Sequence, residues 1–240
     1  MGAQWKHSGR VSNAAKKGAL IGKLIKEITV AAKVGGPSPD ANARLRAGIE
    51  AARKASVPRD TIERALKKGA GLLDEQVNYE LITYEGFAPH KVPLIIECLT
   101  ENKNRTAADI RVLFRAAQLG SPGSVSWMFD RAGVVEATHA EKILDLESVA
   151  IEAGAQSVEA LESVDVPPGQ IGGRFICDTT DLDTVSKFLV QNGWSVTTSE
   201  MSYLPKNNVE VPEELKKEVT KFLDSVDDND DVHRIYVAMK

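Results

Sequence analysis

Cysteine is nearly absent: of 240 residues, only Cys98 and Cys177 carry a thiol. Each lies in an apolar run, Leu94-Ile95-Ile96-Glu97-Cys98 and Phe175-Ile176-Cys177. That setting predicts two buried, reduced thiols, neither a bridge nor a nucleophile. A disulfide-stapled secreted domain is excluded, and a reducing cytoplasm is the expected compartment. No window approaches the roughly eighteen consecutive apolar residues of a membrane-spanning helix. The opening Met1-Gly2-Ala3-Gln4-Trp5-Lys6 has no apolar h-region and is no secretory signal. Myristoylation at Gly2 fails because Lys6 stands where Ser or Thr is required. His7, His90, His139 and His233 are scattered without metal-ligand spacing, so no metal is expected. Gly120-Ser121-Pro122-Gly123-Ser124 lacks the lysine of a phosphate-cradling loop and reads as a turn. Asp227-Asp228-Asn229-Asp230-Asp231 fails as an EF-hand, because Val232 and Ala238 stand where Gly and Glu are needed. No local pattern marks a nucleophile–base pair, and neither a cofactor nor a small-molecule substrate is expected.

Acids are also scarce, but only at one end. The first seventy residues hold five Asp and Glu against fifteen Lys and Arg, a balance of +10. The remainder holds twenty-nine against fifteen, a balance of −14, and the two give the net −4 of the whole chain. An acidic total conceals a concentrated basic module. That asymmetry is the footprint of a nucleic-acid-binding segment on an acidic body.

The basic stretch reads as helices. Ile21, Leu24, Ile25, Ile28 and Ala32 keep to one face, and Lys16, Lys23, Lys26 and Lys33 project roughly opposite. Gly35-Gly36-Pro37-Ser38-Pro39 breaks this helix. Asp40 is the expected N-cap of the next, which buries Leu45 and Ile49. Pro58 opens a third, with Ile62, Ala65 and Leu66 inward and Gly69 at its end. From Asn78 strands dominate. Tyr79–Gly86 and Val92–Thr100 predict a hairpin, Asn104 caps a helix over Ile110, Leu113 and Phe114, and Ser124–Phe129 reads as another strand. Residues 133–204 read β-α-β-β-α-β, with strands Val134–Ala137, Ser157–Val164, Arg174–Asp178 and Ser195–Tyr203, which is the ferredoxin-like plan. The tail offers one helix after Pro212 and one strand, Val232–Met239. These cannot bury a core alone, so the tail is expected to return to the block at 78–130. The expected fold class is α+β: a three-helix bundle at 1–77, an α/β domain from 78–130 and 206–240, and a second ferredoxin-like α/β domain at 131–205 inserted into it.

The expected phosphate contacts are Lys6, Arg10, Lys16, Lys23, Lys26, Arg44, Arg46, Arg53, Lys54, Arg59 and Arg64. Ordinary solvated helix faces mix signs, whereas here positive wins three to one. Phosphate contacts require charge density and carry no sequence specificity. Trp5 and His7, beside Lys6 and Arg10, could stack on bases, or Trp5 could pack on the bundle. A helix-turn-helix reader of DNA is a further possibility. Asn102, Asn104, Arg105 and Thr106 open a helix and suit an anion or a partner, although from physics alone an N-cap with satisfied polar side chains is the better explanation.

Read together, several segments are recognisable. They are Gly35-Gly36 through Asn42-Ala43-Arg44-Leu45-Arg46, Tyr84-Glu85-Gly86-Phe87, Glu101-Asn102-Lys103-Asn104-Arg105-Thr106, Gly123-Ser124-Val125-Ser126-Trp127-Met128-Phe129 and Asp230-Asp231-Val232-His233-Arg234-Ile235-Tyr236. In this order the chain resembles the YebC/PmpR family almost end to end. The resemblance implies three domains, one helical and two α/β, and a non-enzymatic role in gene expression. Members are described as DNA-binding transcriptional regulators; others, including the mitochondrial translational activator of cytochrome oxidase, act on the ribosome to relieve stalled synthesis. Two departures stand out. The family opens with Gly-His-Ser-Lys-Trp where this chain has Gly2-Ala3-Gln4-Trp5-Lys6-His7-Ser8, and its Gly-Gly-Asn turn is replaced by the shorter Gln118-Leu119-Gly120-Ser121-Pro122.

Three functions are therefore expected in order. The first is a nucleic-acid-binding regulator of transcription that grips DNA phosphates. The second is a ribosome-associated translation factor on ribosomal RNA. The third is an enzyme using Asn102–Thr106 as an anion site, which needs a cleft joining that motif to titratable side chains with shifted pKa.

Overall fold

Helix α1 (Ala14–Gly35) forms where the apolar stripe predicts it, and α2 (Ala43–Lys54) and α3 (Arg59–Gly69) follow. The structure, a computed structural model, describes residues 14–73, 78–140, 145–162 and 165–240, with side chains from Gly18 onward. The cap of α2 is Asn42, not the expected Asp40. Asn42 Oδ1 accepts from the Leu45 N–H at 3.0 Å, while its Nδ2 donates to the carbonyls of Ala31 and Gly36. An aspartate has no donor for those two carbonyls, so it could cap α2 but not bind it to the end of α1. Gly69 ends α3 as expected, but its absent side chain serves another purpose. A Cβ there would lie 2.2 Å from the Thr29 carbonyl oxygen, so glycine lets α3 meet the backbone of α1.

From Glu80 the chain runs β1 (Glu80–Ala88), β2 (Val92–Thr100), α4 (Lys103–Leu113), β3 (Gln118–Leu119), β4 (Phe129–His139), α5 (Leu146–Ala153), β5 (Ser157–Ala160), β6 (Ile171–Cys177), α6 (Leu182–Gln191), β7 (Ser195–Pro205), α7 (Glu213–Asp227) and β8 (Val232–Val237). The fold is α+β, with two four-stranded sheets among the described residues. The chain forms two compact units. One takes α1 as far as Lys26, the stretch from β1 to Asp130, and Tyr203–Lys240; the other takes α1 from Glu27, α2, α3 and Arg131–Ser202.

In the first unit the sheet order is β3-β1-β2-β8. The tail strand pairs antiparallel with β2, with Leu94 opposite Val237 and Ile96 opposite Ile235. All nine residues of β2 are buried, because both faces of this sheet are covered. Alternate side chains separate the two sides. Leu94, Ile96 and Cys98 meet Ile110 of α4, Phe114 just after it, and Val219, Phe222 and Leu223 of α7. Ile95 and Tyr236 meet Val125, Phe129 and Tyr203 on the other face. The Phe114 and Phe222 rings pack edge-on at 5.3 Å. Each such buried side chain contributes roughly 1.5–3 kcal/mol of transfer free energy. Asn102, not Asn104, caps α4, accepting from the Arg105 N–H at 3.1 Å.

In the second unit the order β5-β6-β4-β7 is that of the ferredoxin-like plan. Val135, Ala137, Phe175 and Cys177 bury one face against Ala150 and Ala153 of α5 and Val185 and Leu189 of α6. The expected strand at Ser124–Phe129 is absent. A 3-10 turn occupies Ser126–Met128, and β4 begins only at Phe129. Glu85 is the cause: its buried carboxylate accepts from the backbone N–H groups of Gly123, Val125 and Ser126, each at 2.8 Å, which removes them from any ladder.

Candidate nucleic-acid interface

The lysines of α1 do not all face solvent. The Lys23 ammonium donates to the Asp227 carboxylate at 2.8 Å and to the Asp227 carbonyl. Lys26 donates to the Asp230 carbonyl at 2.7 Å and to the Asp231 carboxylate at 3.2 Å. Its ammonium also stands 5.8 Å from the centre of the Tyr79 ring. Both side chains are largely covered, with 13% and 20% exposed. The acidic turn between α7 and β8, which fails as a calcium loop in sequence, is thus the seat of two basic side chains.

Asp231 is the centre of this junction. Only 4% exposed, it accepts from Lys26, from the Thr100 and Thr106 hydroxyls at 3.2 and 2.9 Å, and from Arg105 Nη2. Burial pushes its carboxyl pKa up, but the bonds from Arg105, Thr106 and Lys26 outweigh that and hold it below the usual carboxylate range. The helix start at Asn102–Thr106 thus already holds an anion, the chain's own Asp231. A cleft of about 740 Å³ opens beside it, lined by Gly18, Gly22, Tyr79, Asn102, Arg105 and Asp230 among others. Burial and the neighbouring Glu101 push the Tyr79 phenol up to about 12. Burial likewise raises Cys98 to about 12 and Cys177 to about 11, so the thiols stay protonated. Among the described residues no group of three or more His, Cys, Asp or Glu is placed to hold a metal ion.

The helices α2 and α3 carry the exposed cations. Arg44 lies half-buried in a fork with Glu27, from Nε at 2.6 Å and Nη2 at 3.0 Å. Arg46 turns inward, and its Nη1 donates to the Pro39 carbonyl at 3.1 Å. Arg53, Lys54, Arg59, Arg64 and Lys67 are exposed. Arg59 pairs with Glu63 at 2.8 Å across one turn of α3, with 90% of its side chain still open to solvent. Of the residues expected from sequence, the structure brings Arg53, Lys54, Arg59 and Arg64 onto the surface of one helical pair and engages Lys23, Lys26, Arg44 and Arg46 internally. Trp5, Lys6, His7 and Arg10 lie outside the described residues, and of Lys16 only the backbone is described.

Two features escaped the sequence. Lys67 follows Arg64 by three positions, a spacing that puts both on one helix face and could have identified it. The other is Trp127, 67% exposed on the turn that Glu85 organises, with its indole N–H donated to the Ser124 carbonyl at 3.1 Å. No helix among the described residues is long and apolar enough to cross a membrane.

Two family models match the sequence: one described as the TACO1/YebC protein N-terminal domain over residues 3–72, and one as the TACO1/YebC second and third domain over residues 79–239. A "Probable transcriptional regulatory protein" of Pseudomonas syringae pv. syringae is 50% identical over 241 residues, covering 100% of this chain and 99% of its own. A protein named likewise from Bdellovibrio bacteriovorus is 48% identical, with 100% of each chain covered. One from Myxococcus xanthus is 42% identical over 92% of this chain and 87% of its own. The crystal structure of a conserved hypothetical protein from Aquifex aeolicus is similar with a TM-score of 0.79 at 35% identity, covering 99% of this chain and 96% of that one.

Proposed function

The chain belongs to the TACO1/YebC family, and we propose that it acts as a non-enzymatic, nucleic-acid-binding regulator of gene expression in a reducing cytoplasm. The observation that carries this reading is the exposed cationic surface of α2 and α3. Arg53, Lys54, Arg59, Arg64 and Lys67 stand open to solvent within fifteen positions of an otherwise compact helical pair. Such density suits a polyanion and needs no specific partner geometry. Catalysis is disfavoured by the direction of the shifts beside the α4 cleft. Asp231 is driven down and Tyr79 up, away from the near-neutral values that acid–base chemistry uses. Asn104 and Arg105, exposed at the start of α4, extend the polar surface available to a partner.

The relatives are named probable transcriptional regulatory proteins, and a role in transcription makes DNA the first target to test. A second reading, a translation factor seated on ribosomal RNA, is favoured by an apolar groove between α2 and α3, which a paired duplex has no means of filling. Crosslinking the protein to nucleic acid in growing cells, then sequencing what is attached, separates the two. Enrichment at a few promoters selects the transcriptional regulator, and one defined patch of ribosomal RNA selects the translation factor. The common premise is tested by reversing Arg53, Lys54, Arg64 and Lys67 to glutamate. Binding is lost while the far-ultraviolet circular dichroism is unchanged; unaltered affinity in that variant would sink both readings.

A further inference from the structure

Within the cationic surface lies a groove of about 320 Å³ whose floor is apolar: Pro39, Ile49, Val57, Ile62 and Leu66. Its rim is charged, formed by Arg53 and Arg59 with Glu63. The volume is at the low end for a small-molecule site. The groove is a cleft at the surface of the helical pair, not an interior void. Here it stays open beside two arginines, one of which has 90% of its side chain in solvent.

We propose that the α2–α3 groove receives a single unstacked nucleobase, with Arg53 and Arg59 on the flanking phosphates, so that the bound nucleic acid is unpaired at the point of contact. This rests on the nucleic-acid reading above and deepens it by naming the form of the ligand. A Watson–Crick duplex presents phosphates and base edges and keeps its base faces stacked inside, so an apolar floor finds nothing to cover. A single strand or a loop presents the base itself. An apolar cleft covers its faces, guanidinium planes can stack on it, and the charged rim holds the backbone on either side. Glu63, at the rim, is already bonded to Arg59 at 2.8 Å, and its carboxylate can still accept from an exocyclic amine such as that of cytosine. The charge of the rim selects this occupant over an uncharged apolar side chain of a protein.

The test uses the full chain and a labelled oligonucleotide of about a dozen nucleotides, within the span of known single-strand sites. Affinity is measured for the single strand, for the same strand annealed to its complement, and for versions with one abasic position moved along it. The single strand is expected to bind more tightly than the duplex, and one abasic position to weaken it by about tenfold, the scale of one lost base contact. Filling the groove by Leu66→Phe should give a similar loss without changing the salt dependence, because no phosphate contact is removed. Equal or tighter binding of the duplex, or indifference to an abasic site at every position, overturns base insertion even if Leu66→Phe does not fold. Unchanged oligonucleotide affinity in a folded Leu66→Phe variant overturns it too and leaves the groove to an apolar side chain of an acidic protein. Failure to bind either strand form at low salt is a different result, which removes the nucleic-acid reading itself.

Discussion

Arg105 and Asp231, 126 positions apart, are joined by one nitrogen: Nη2 of the guanidinium donates to both carboxylate oxygens, at 3.0 and 2.8 Å. The partners are unequal. Asp231 is almost wholly covered, whereas 58% of the Arg105 side chain is exposed. Removing the carboxylate takes a bond from each of Lys26, Thr100 and Thr106 as well, so Asp231→Ala should destabilise the protein by about 3 kcal/mol, in the range for breaking a buried charge network. Arg105→Ala leaves Asp231 with three partners and should cost distinctly less. Urea unfolding of both variants checks the order, and equal losses would contradict it.

Stability on the acid side follows from two carboxylates. Burial raises Glu85, but the backbone N–H groups of Gly123, Val125 and Ser126 outweigh it and set its pKa below the ordinary value; Asp231 is lowered likewise. A group whose pKa falls on folding binds fewer protons folded than unfolded, so folding stability rises with pH across the interval between the two values. The contribution is complete above the unfolded pKa, roughly 4. It fades as pH falls through the folded one. Glu85→Gln should therefore flatten the decline of unfolding free energy below about pH 5. A decline as steep as in the wild type would reassign it to other acids.

Neither thiol should react in the native state. Cys98 and Cys177 are buried, with pKa values raised to about 12 and about 11. Thiolate is the reactive form, so alkylation at neutral pH should wait on unfolding and then proceed at both sites. Mass spectrometry after brief iodoacetamide treatment reads this directly. Rapid modification of Cys98 without denaturant would contradict the packing of β2.

Binding should weaken steeply with salt if phosphates dominate. Each lost contact removes about 0.7 from the slope of log affinity against log salt for a single strand, or 0.9 for duplex DNA. Neutralising Arg53, Lys54, Arg64 and Lys67 to alanine, a milder change than their reversal, should therefore make the slope shallower by about three to four units. Reversal of Lys23 and Lys26 mixes two effects. Both lysines hold the acidic turn before β8, so that variant should melt earlier as well.

The parts of this fold legible in the sequence are those governed by nearest neighbours. The stripe from Ile21 to Ala32 announces α1, Pro58 announces α3, and the order of strand and helix segments over 133–204 announces the sheet of β4 to β7. The cap of α2 is not legible locally, because the Asn42 side chain also bonds the end of α1 and Ala31 precedes it by eleven positions. At α4 two asparagines stand two positions apart, and the cap is the earlier, Asn102. Ser124–Phe129 looks like a strand because Val125, Trp127 and Phe129 are strand-forming residue types, and nothing local reveals that Glu85, about forty positions earlier, collects its N–H groups. For the interface, the excess of positive charge was visible in composition alone. Which cations are spent internally was not, since Lys23 meets an aspartate 204 positions away. The groove depends on how far α2 and α3 stand apart, a property of packing rather than of any residue type.

The pairing of β8 with β2 has a consequence for how the molecule is made. Ribosomes deliver β2 early, and its nine apolar-lined positions then lack a neighbour along one edge until residues 232–237 have been synthesised. Sheets that close on such distant partners form slowly, and an uncovered edge invites association with other chains. The inserted β4–β7 segment has its sheet partners close at hand and can mature during the wait. Biogenesis therefore runs inside out, with the part that begins first finished last, and the nascent protein is most vulnerable to aggregation just before its final strand emerges.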